Sequence, residues 1–177
     1  VNLFLEDTNN AASTATITSA GTETLNITVG AAAESHSLVT TAVAPTTGSA
    51  TTINIKGYLA TASAAATVTL ATTSALTTTV DAGTFAGTFT LSDRGSSAMT
   101  ITGSIGVDSI QMENGGDTIA AGPGADTLVV KYYSIISGIT VDLSAADQIV
   151  SWDGAAASGT VSGCLLYTSP SPRDSGQ

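Results

Sequence analysis

The chain has 177 residues and a mass of 17.4 kDa, enough for one domain with its own core or for a run of small stacked repeats. Four Lys and Arg against fourteen Asp and Glu give a formal charge of −10 and a pI near 4.1, which excludes a phosphate-neutralising nucleic-acid surface. The mean hydropathy of +0.32 does not mark a membrane span, because Thr or Ser interrupts every apolar run, and one Trp, four Tyr and three Phe are too few for the aromatic girdles of an outer-membrane barrel.

From the N-terminus, Val1, Leu3 and Leu5 alternate with other residues and predict a strand. Period-two alternation returns at Leu25, Ile27 and Val29, then at Ile53 and Ile55, Val68 and Leu70, Phe89 and Leu91, and Val141 and Leu143. The intervening residues are mostly Thr, whose β-branched side chain suits a pleated, half-buried face. Gly48-Ser49-Ala50 and Asp81-Ala82-Gly83 read as turns, and the Ala triplets at 31–33, 64–66 and 155–157 are too short for helices. Many short strands with small core residues favour thin stacked layers, so the expected fold is an all-β solenoid and not a sandwich. Its expected organisation is a Thr/Ala-rich β region over 1–92, a repeat-bearing segment over 93–133, a trailing β segment over 134–163 and a separate tail over 164–177.

A fixed internal period appears between residues 103 and 130. Gly106-Val107-Asp108-Ser109-Ile110, Gly115-Gly116-Asp117-Thr118-Ile119 and Gly124-Ala125-Asp126-Thr127-Leu128 place aspartates at 108, 117 and 126, nine residues apart. A decayed copy precedes them, with Thr100-Ile101 in register and Met99 in the Asp position. Gly103 and Gly122 fill further glycine positions, whereas the middle copy carries Met112 and Glu113 there. Asp followed two residues later by Ile or Leu predicts a carboxylate in a turn and an apolar side chain entering the core from a minimal strand. If two nonapeptides make one layer, residues eighteen apart stack about 4.8 Å from each other. Asp108 is then the neighbour of Asp126, while Asp117 falls on the opposite edge beside Met99 and Ile135. Two such carboxylates repel each other, and a hard cation that accepts carboxylate and carbonyl oxygens relieves the repulsion.

The nonapeptides resemble the G-G-x-G-x-D-x-U-x repeat of RTX-type (hemolysin-type) proteins. That resemblance implies an all-β, right-handed parallel β-solenoid with a short Ca²⁺-binding β-roll, with Asp108, Asp126, Asp117 and the turn glycines Gly103, Gly106, Gly115, Gly122 and Gly124 as its metal-site residues. The Thr/Ala-rich run 74–91 and the strand Gly138-Ile139-Thr140-Val141-Asp142-Leu143-Ser144 are similar to rungs of large bacterial surface-layer proteins and adhesins. The family implies export, folding outside the cell as Ca²⁺ rises, and a structural, non-enzymatic role at the cell surface. The implied partners are calcium ions and a surface lattice of like copies or cell-surface glycans, without nucleic acid or membrane insertion. The alternative within the family is the roll of a secreted protease or lipase, or a glycan-binding adhesin module.

Other residues carry less. His36 stands alone and reads as a loop residue, since neither a His-Glu-x-x-His helix nor a Gly-x-Ser-x-Gly elbow is present. Asp142, Asp147 and Asp153 share no register and read as surface acids, and Tyr132, Tyr133 and Trp152 as a cap on the last repeat. The tail from Cys164 to Asp174 resembles the in-frame translation of a transposon-type sequencing adapter over eleven consecutive codons. It is set aside as a disordered appendage, which removes the single Cys and leaves the expectation of a fragment of a larger protein.

Overall fold

The computed structural model describes residues 2–5, 13–16, 23–29, 35–39, 52–57, 67–72, 77–92, 98–112, 116–130, 139–141, 148–152 and 155–168. Every regular element among them is a strand, and most pairing is parallel. In chain order the strands are β1 (Asn2–Leu5), β2 (Ser13–Thr16), β3 (Thr24–Val29), β4 (Ser35–Val39), β5 (Thr52–Gly57), β6 (Thr67–Thr72), β7 (Thr79–Thr84), β8 (Thr88–Leu91) and β9 (Thr100–Thr102). They continue with β10 (Asp108–Met112), β11 (Thr118–Ala120), β12 (Asp126–Val130), β13 (Ile139–Val141), β14 (Ile149–Trp152), β15 (Ala155–Ala156), β16 (Val161–Ser162) and β17 (Cys164–Thr168).

Through β12 the chain deals its strands alternately into two parallel sheets. One has the order β1-β3-β5-β7-β9-β11-β16 and the other the order β17-β12-β10-β8-β6-β4-β2. The alternation predicted from sequence is the alternation of burial, since Leu25, Ile27 and Val29 are buried between half-exposed Asn26 and Thr28. Parallel register then stacks like on like. In the first sheet Leu25 pairs with Ile53, Ile53 with Val80, Val80 with Ile101, Ile101 with Ile119, and Ile119 with Val161. In the second, Leu70, Leu91, Ile110 and Leu128 form a matching file. Each such side chain, fully buried, contributes roughly 1.5–3 kcal/mol, so the core is a set of files with Phe85 and Phe89 as its largest members.

Several local expectations need correction. Asp81-Ala82-Gly83 lies inside β7 instead of in a turn, because Val80 and Ala82 face the core and the Gly83 N–H donates to Asp81 Oδ1 at 2.9 Å without ending the strand. His36 lies in β4, paired with Val68, and not in a loop. The trailing β segment divides between two arrangements: β13, β14 and β15 form a three-stranded antiparallel sheet, while β16 pairs parallel with β11. Short connections permit such hairpins, whereas parallel neighbours need a long return. Leu143, Asp142, Asp147, Asp153, Tyr132, Tyr133 and the Ala triplets at 31–33 and 64–66 lie outside the described residues.

The tail also departs from expectation. Residues 164–168, set aside as disordered, form β17 along the edge of β12, with Asp126 opposite Cys164 and a register shift after it. The Gln148 side chain grips this strand, donating from Nε2 to the Cys164 carbonyl at 2.7 Å and accepting the Cys164 N–H at 3.0 Å. Both contacts use backbone groups, which any residue at 164 supplies. An open parallel edge accepts an extended segment largely regardless of its side chains.

Candidate metal centre

The nine-residue period sets the tightest part of the fold. Over the repeats, neighbours lie eighteen residues apart, Ser109 against Thr127 and Thr100 against Thr118, as two nonapeptides per layer require. Upstream the return is longer, with Asn26 against Asn54 and His36 against Val68.

Asp108 and Asp126 stack as predicted: the Asp108 N–H donates to Asp126 Oδ1 at 2.9 Å. Their placement differs from expectation in one respect. Each is the first residue of its strand and points inward on the same face as Ile110 or Leu128, so both carboxylates are buried at the end of the core files. Two-residue strand periodicity explains this, because an Asp two positions before an inward Ile is itself inward.

Around Asp108 the donors come from the preceding turn. Ser104 donates its N–H to Oδ2 at 2.6 Å and approaches Oδ1 with its hydroxyl at 2.5 Å, while the Phe89 N–H donates to Oδ1 at 3.2 Å. The Ser104 hydroxyl also lies 2.8 Å from the Gly87 carbonyl and accepts the Gly106 N–H at 3.1 Å. One hydroxyl proton cannot serve both Asp108 and Gly87. When protonated, Asp108 would supply the second proton; burial, joined by the charge of Asp126, pushes the Asp108 carboxyl up to about 6 against the Ser104 hydrogen bonds that oppose the shift. Asp126 is also raised, by burial, against the opposing hydrogen bond from Asp108. Its second oxygen, Oδ2, is buried with no hydrogen-bond partner. Beside it burial, with the charges of Asp126 and Asp108, pushes the Cys164 thiol up to about 12.

The glycines explain why the turns stack so closely. A Cβ on Gly124, whose φ is +139°, would collide with the Gly106 carbonyl and come within 2.8 Å of Asp126 Oδ1. One on Gly122, at φ +94°, would come within 2.7 Å of the Ser104 carbonyl. Gly106 lies against the Gly87 carbonyl, and Gly103 against the Ala121 carbonyl and Asp108 Oδ2. Carbonyl oxygens therefore crowd toward the neighbouring turn next to two desolvated carboxylates.

Asp117 stands apart. It belongs to the other sheet edge and receives the Met99 N–H on Oδ1 at 3.0 Å, as the register predicts. Ile135, its other expected neighbour, lies outside the described residues; Ile119 pairs with Val161, which brings Gly159 against the Asp117 carbonyl. Gly115 lies outside the described residues. Sequence reasoning missed Ser104, Gly87 and Gln148; the position of Ser104, four residues before Asp108 and directly after Gly103, was the available signal for the first.

Among the described residues no three His, Cys, Asp or Glu side chains gather as a metal-holding group. A cation at the Asp108–Asp126 edge would have to complete its shell with carbonyl oxygens, the donors that Ca²⁺ accepts and softer metals do not favour. The buried, unpartnered Asp126 Oδ2 and the crowded carbonyls fit such an ion. Comparison with protein families, with curated proteins and with solved structures finds no match for this chain.

Proposed function

We propose that the chain is a calcium-binding structural module of a secreted bacterial cell-surface protein, a right-handed parallel β-solenoid whose repeats form an RTX-like β-roll. The observation that carries this reading is the stacked pair Asp108 and Asp126, both buried, with Asp126 Oδ2 lacking any hydrogen-bond partner. A buried anionic oxygen without a partner is costly, and a divalent cation offsets that cost. Asp126 and Asp108 would hold the ion together with carbonyl oxygens of the Gly103–Gly106 and Gly122–Gly124 turns. The ion supplies positive charge at the core's acidic end, so folding and binding are coupled. The reading contains no catalytic step, and its setting is extracellular, in a surface layer or adhesin.

The test is calorimetric titration of the EGTA-treated full chain with CaCl₂, beside thermal melts with and without the ion. Saturable binding with Kd on the order of 10⁻⁴–10⁻³ M is expected, as for extracellular modules. The melting temperature should rise with Ca²⁺, and Asp108→Ala with Asp126→Ala should abolish both effects. Identical melts in EGTA and in Ca²⁺ would refute the proposal.

A further inference from the structure

At one end of the two parallel sheets a single residue holds backbone groups of both last strands. β16 ends the first sheet and β17 the second. The Thr160 and Ser162 carbonyls accept from the Ile119 and Ala121 N–H groups, so the Val161 carbonyl between them points away from β11, and there it accepts the Gln148 N–H at 2.7 Å. In β17 the Cys164 carbonyl and N–H are directed to the Gln148 carboxamide, at 2.7 and 3.0 Å. Gly163, at φ +85°, turns the chain from β16 to β17 in one residue, which brings both edges within reach of Gln148.

Gln148 thus stands where the next strand of each sheet would lie. A carboxamide carries the donor and the acceptor of a peptide group, so its pairing with Cys164 imitates one link of a parallel ladder, while its backbone supplies a link to β16. It is 4% exposed and directly precedes β14, whose pairing with β13 and β15 anchors it. A partner that replaces it on both sheets at once must bring two edge strands, one for each sheet, both running parallel to β16 and β17. The chain owns such a pair at its other end: β1 ends the first sheet and β2 the second, and every pairing from one end to the other is parallel.

We infer that Gln148 is an autoinhibitory plug, which closes a self-association surface, the β16–β17 edge, against the β1–β2 edge of a second copy. The two edges match in detail. The file that starts at Asn2 and runs through Asn26 and Asn54 ends at Ser162, so a second copy laid on in the same register sets its Asn2 amide beside the Ser162 hydroxyl. The Asn54 amide already donates to Asn26 Oδ1 at 2.8 Å and the Asn26 amide to Asn2 Oδ1 at 2.9 Å, a ladder that Ser162 would extend by one step. Neither a charged residue nor a proline, the usual guards of an exposed edge, stands in β1, β2, β16 or β17. Phe4, 49% exposed on β1, adds apolar surface to bury. A contact between two different ends of like copies does not close on itself, so without the plug it propagates into a filament. Gln148 bonds the last strands of both sheets without presenting a strand of its own, and growth stops there.

The plug does not depend on the cation, and each assay is run in EGTA and in CaCl₂ so that the calcium reading stands or fails separately. The full chain, with a reductant to keep Cys164 from cross-linking, is followed by size-exclusion chromatography with light scattering over a range of concentrations. The parent is expected at its monomer mass of 17.4 kDa. Gln148→Met, which keeps the side-chain length and removes both bonds to Cys164, should give a concentration-dependent series at multiples of that mass. Adding Phe4→Lys, which places a charge on the opposite edge, should return it to the monomer. Should Gln148→Met fold poorly, amide hydrogen exchange of the parent gives a second reading: the Cys164 N–H, held by Gln148 Oε1, should exchange as slowly as the amides of β12. A parent that itself forms filaments overturns the inference, as does a folded Gln148→Met that stays monomeric. Larger species that survive Phe4→Lys, or rapid exchange at Cys164, overturn it equally.

Discussion

Raising the pH of the ion-free chain should destabilise it, and adding Ca²⁺ should reverse the direction of that dependence. In the fold the Asp108 carboxyl is pushed up from 3.8 to about 6, so between those values the native state binds more protons than the unfolded chain. Stability from this group is therefore fully present below about 3.8 and is lost as pH rises through about 6. A shift of about two units corresponds to about 3 kcal/mol; Asp108 is only 1% exposed, so solvent screening takes little from that figure. Asp126 is shifted in the same direction and adds to the loss. For a chain of this size, 3 kcal/mol is about 6–12 °C in Tm. The assay is a set of melts in EGTA at pH 4, 5, 6 and 7.5, repeated in 10 mM CaCl₂. With the ion present the carboxylates must be deprotonated to bind it, so stability should rise with pH. At about one hundred times Kd the ion restores about 2.7 kcal/mol. Asp108→Asn should flatten the EGTA profile between pH 4 and 7.5. An ion-free Tm that rises over that interval, or an Asp108→Asn profile as steep as the parent's, would refute the reasoning.

The turns make separate predictions. Gly124→Ala should cost at least 1–3 kcal/mol, roughly the strain of a residue with a Cβ at φ +139°, with the collision against the Gly106 carbonyl added, and denaturant melts will measure it. Gly83→Ala, whose Cβ would meet Thr102 Cγ2 at 3.1 Å, should stay within about 1 kcal/mol of the parent in the same melts. Phe89→Ala removes a fully buried ring and should cost about 3–5 kcal/mol by the same measure. Cys164, buried and pushed up to about 12, should resist iodoacetamide at pH 8 in the native chain and react once the chain is unfolded, which mass spectrometry will show; rapid native labelling would mean that β17 does not dock against β12.

Strand identity was legible wherever period-two alternation was clean, at Leu25–Val29, Ile53–Ile55, Val68–Leu70 and Phe89–Leu91, because burial of alternate residues is a local consequence of the pleat. It failed at Asp81–Gly83, where small residues read as a turn although Ala82 packs inward. At the candidate metal centre, the nine-residue period correctly stacked Asp108 on Asp126 and Asp117 on Met99. It could not reach Ser104, Gly87 or the orphaned Asp126 Oδ2, since these depend on how one turn lies over the next.

From the sequence alone follow the all-β character, the acidic surplus and the eighteen-residue layer, because each is set by residues near one another in the chain. The row of unburied threonines Thr24, Thr52, Thr79, Thr100, Thr118 and Thr160 in the first sheet is of another kind. Its members are separated by 28, 27, 21, 18 and 42 residues, so no period announces them. Only parallel register, which aligns strands by their hydrogen bonds regardless of loop length, brings them into one line. The same dependence seats residues 164–168 on the edge of β12: strand pairing, unlike strand formation, is decided between segments that are distant in the chain.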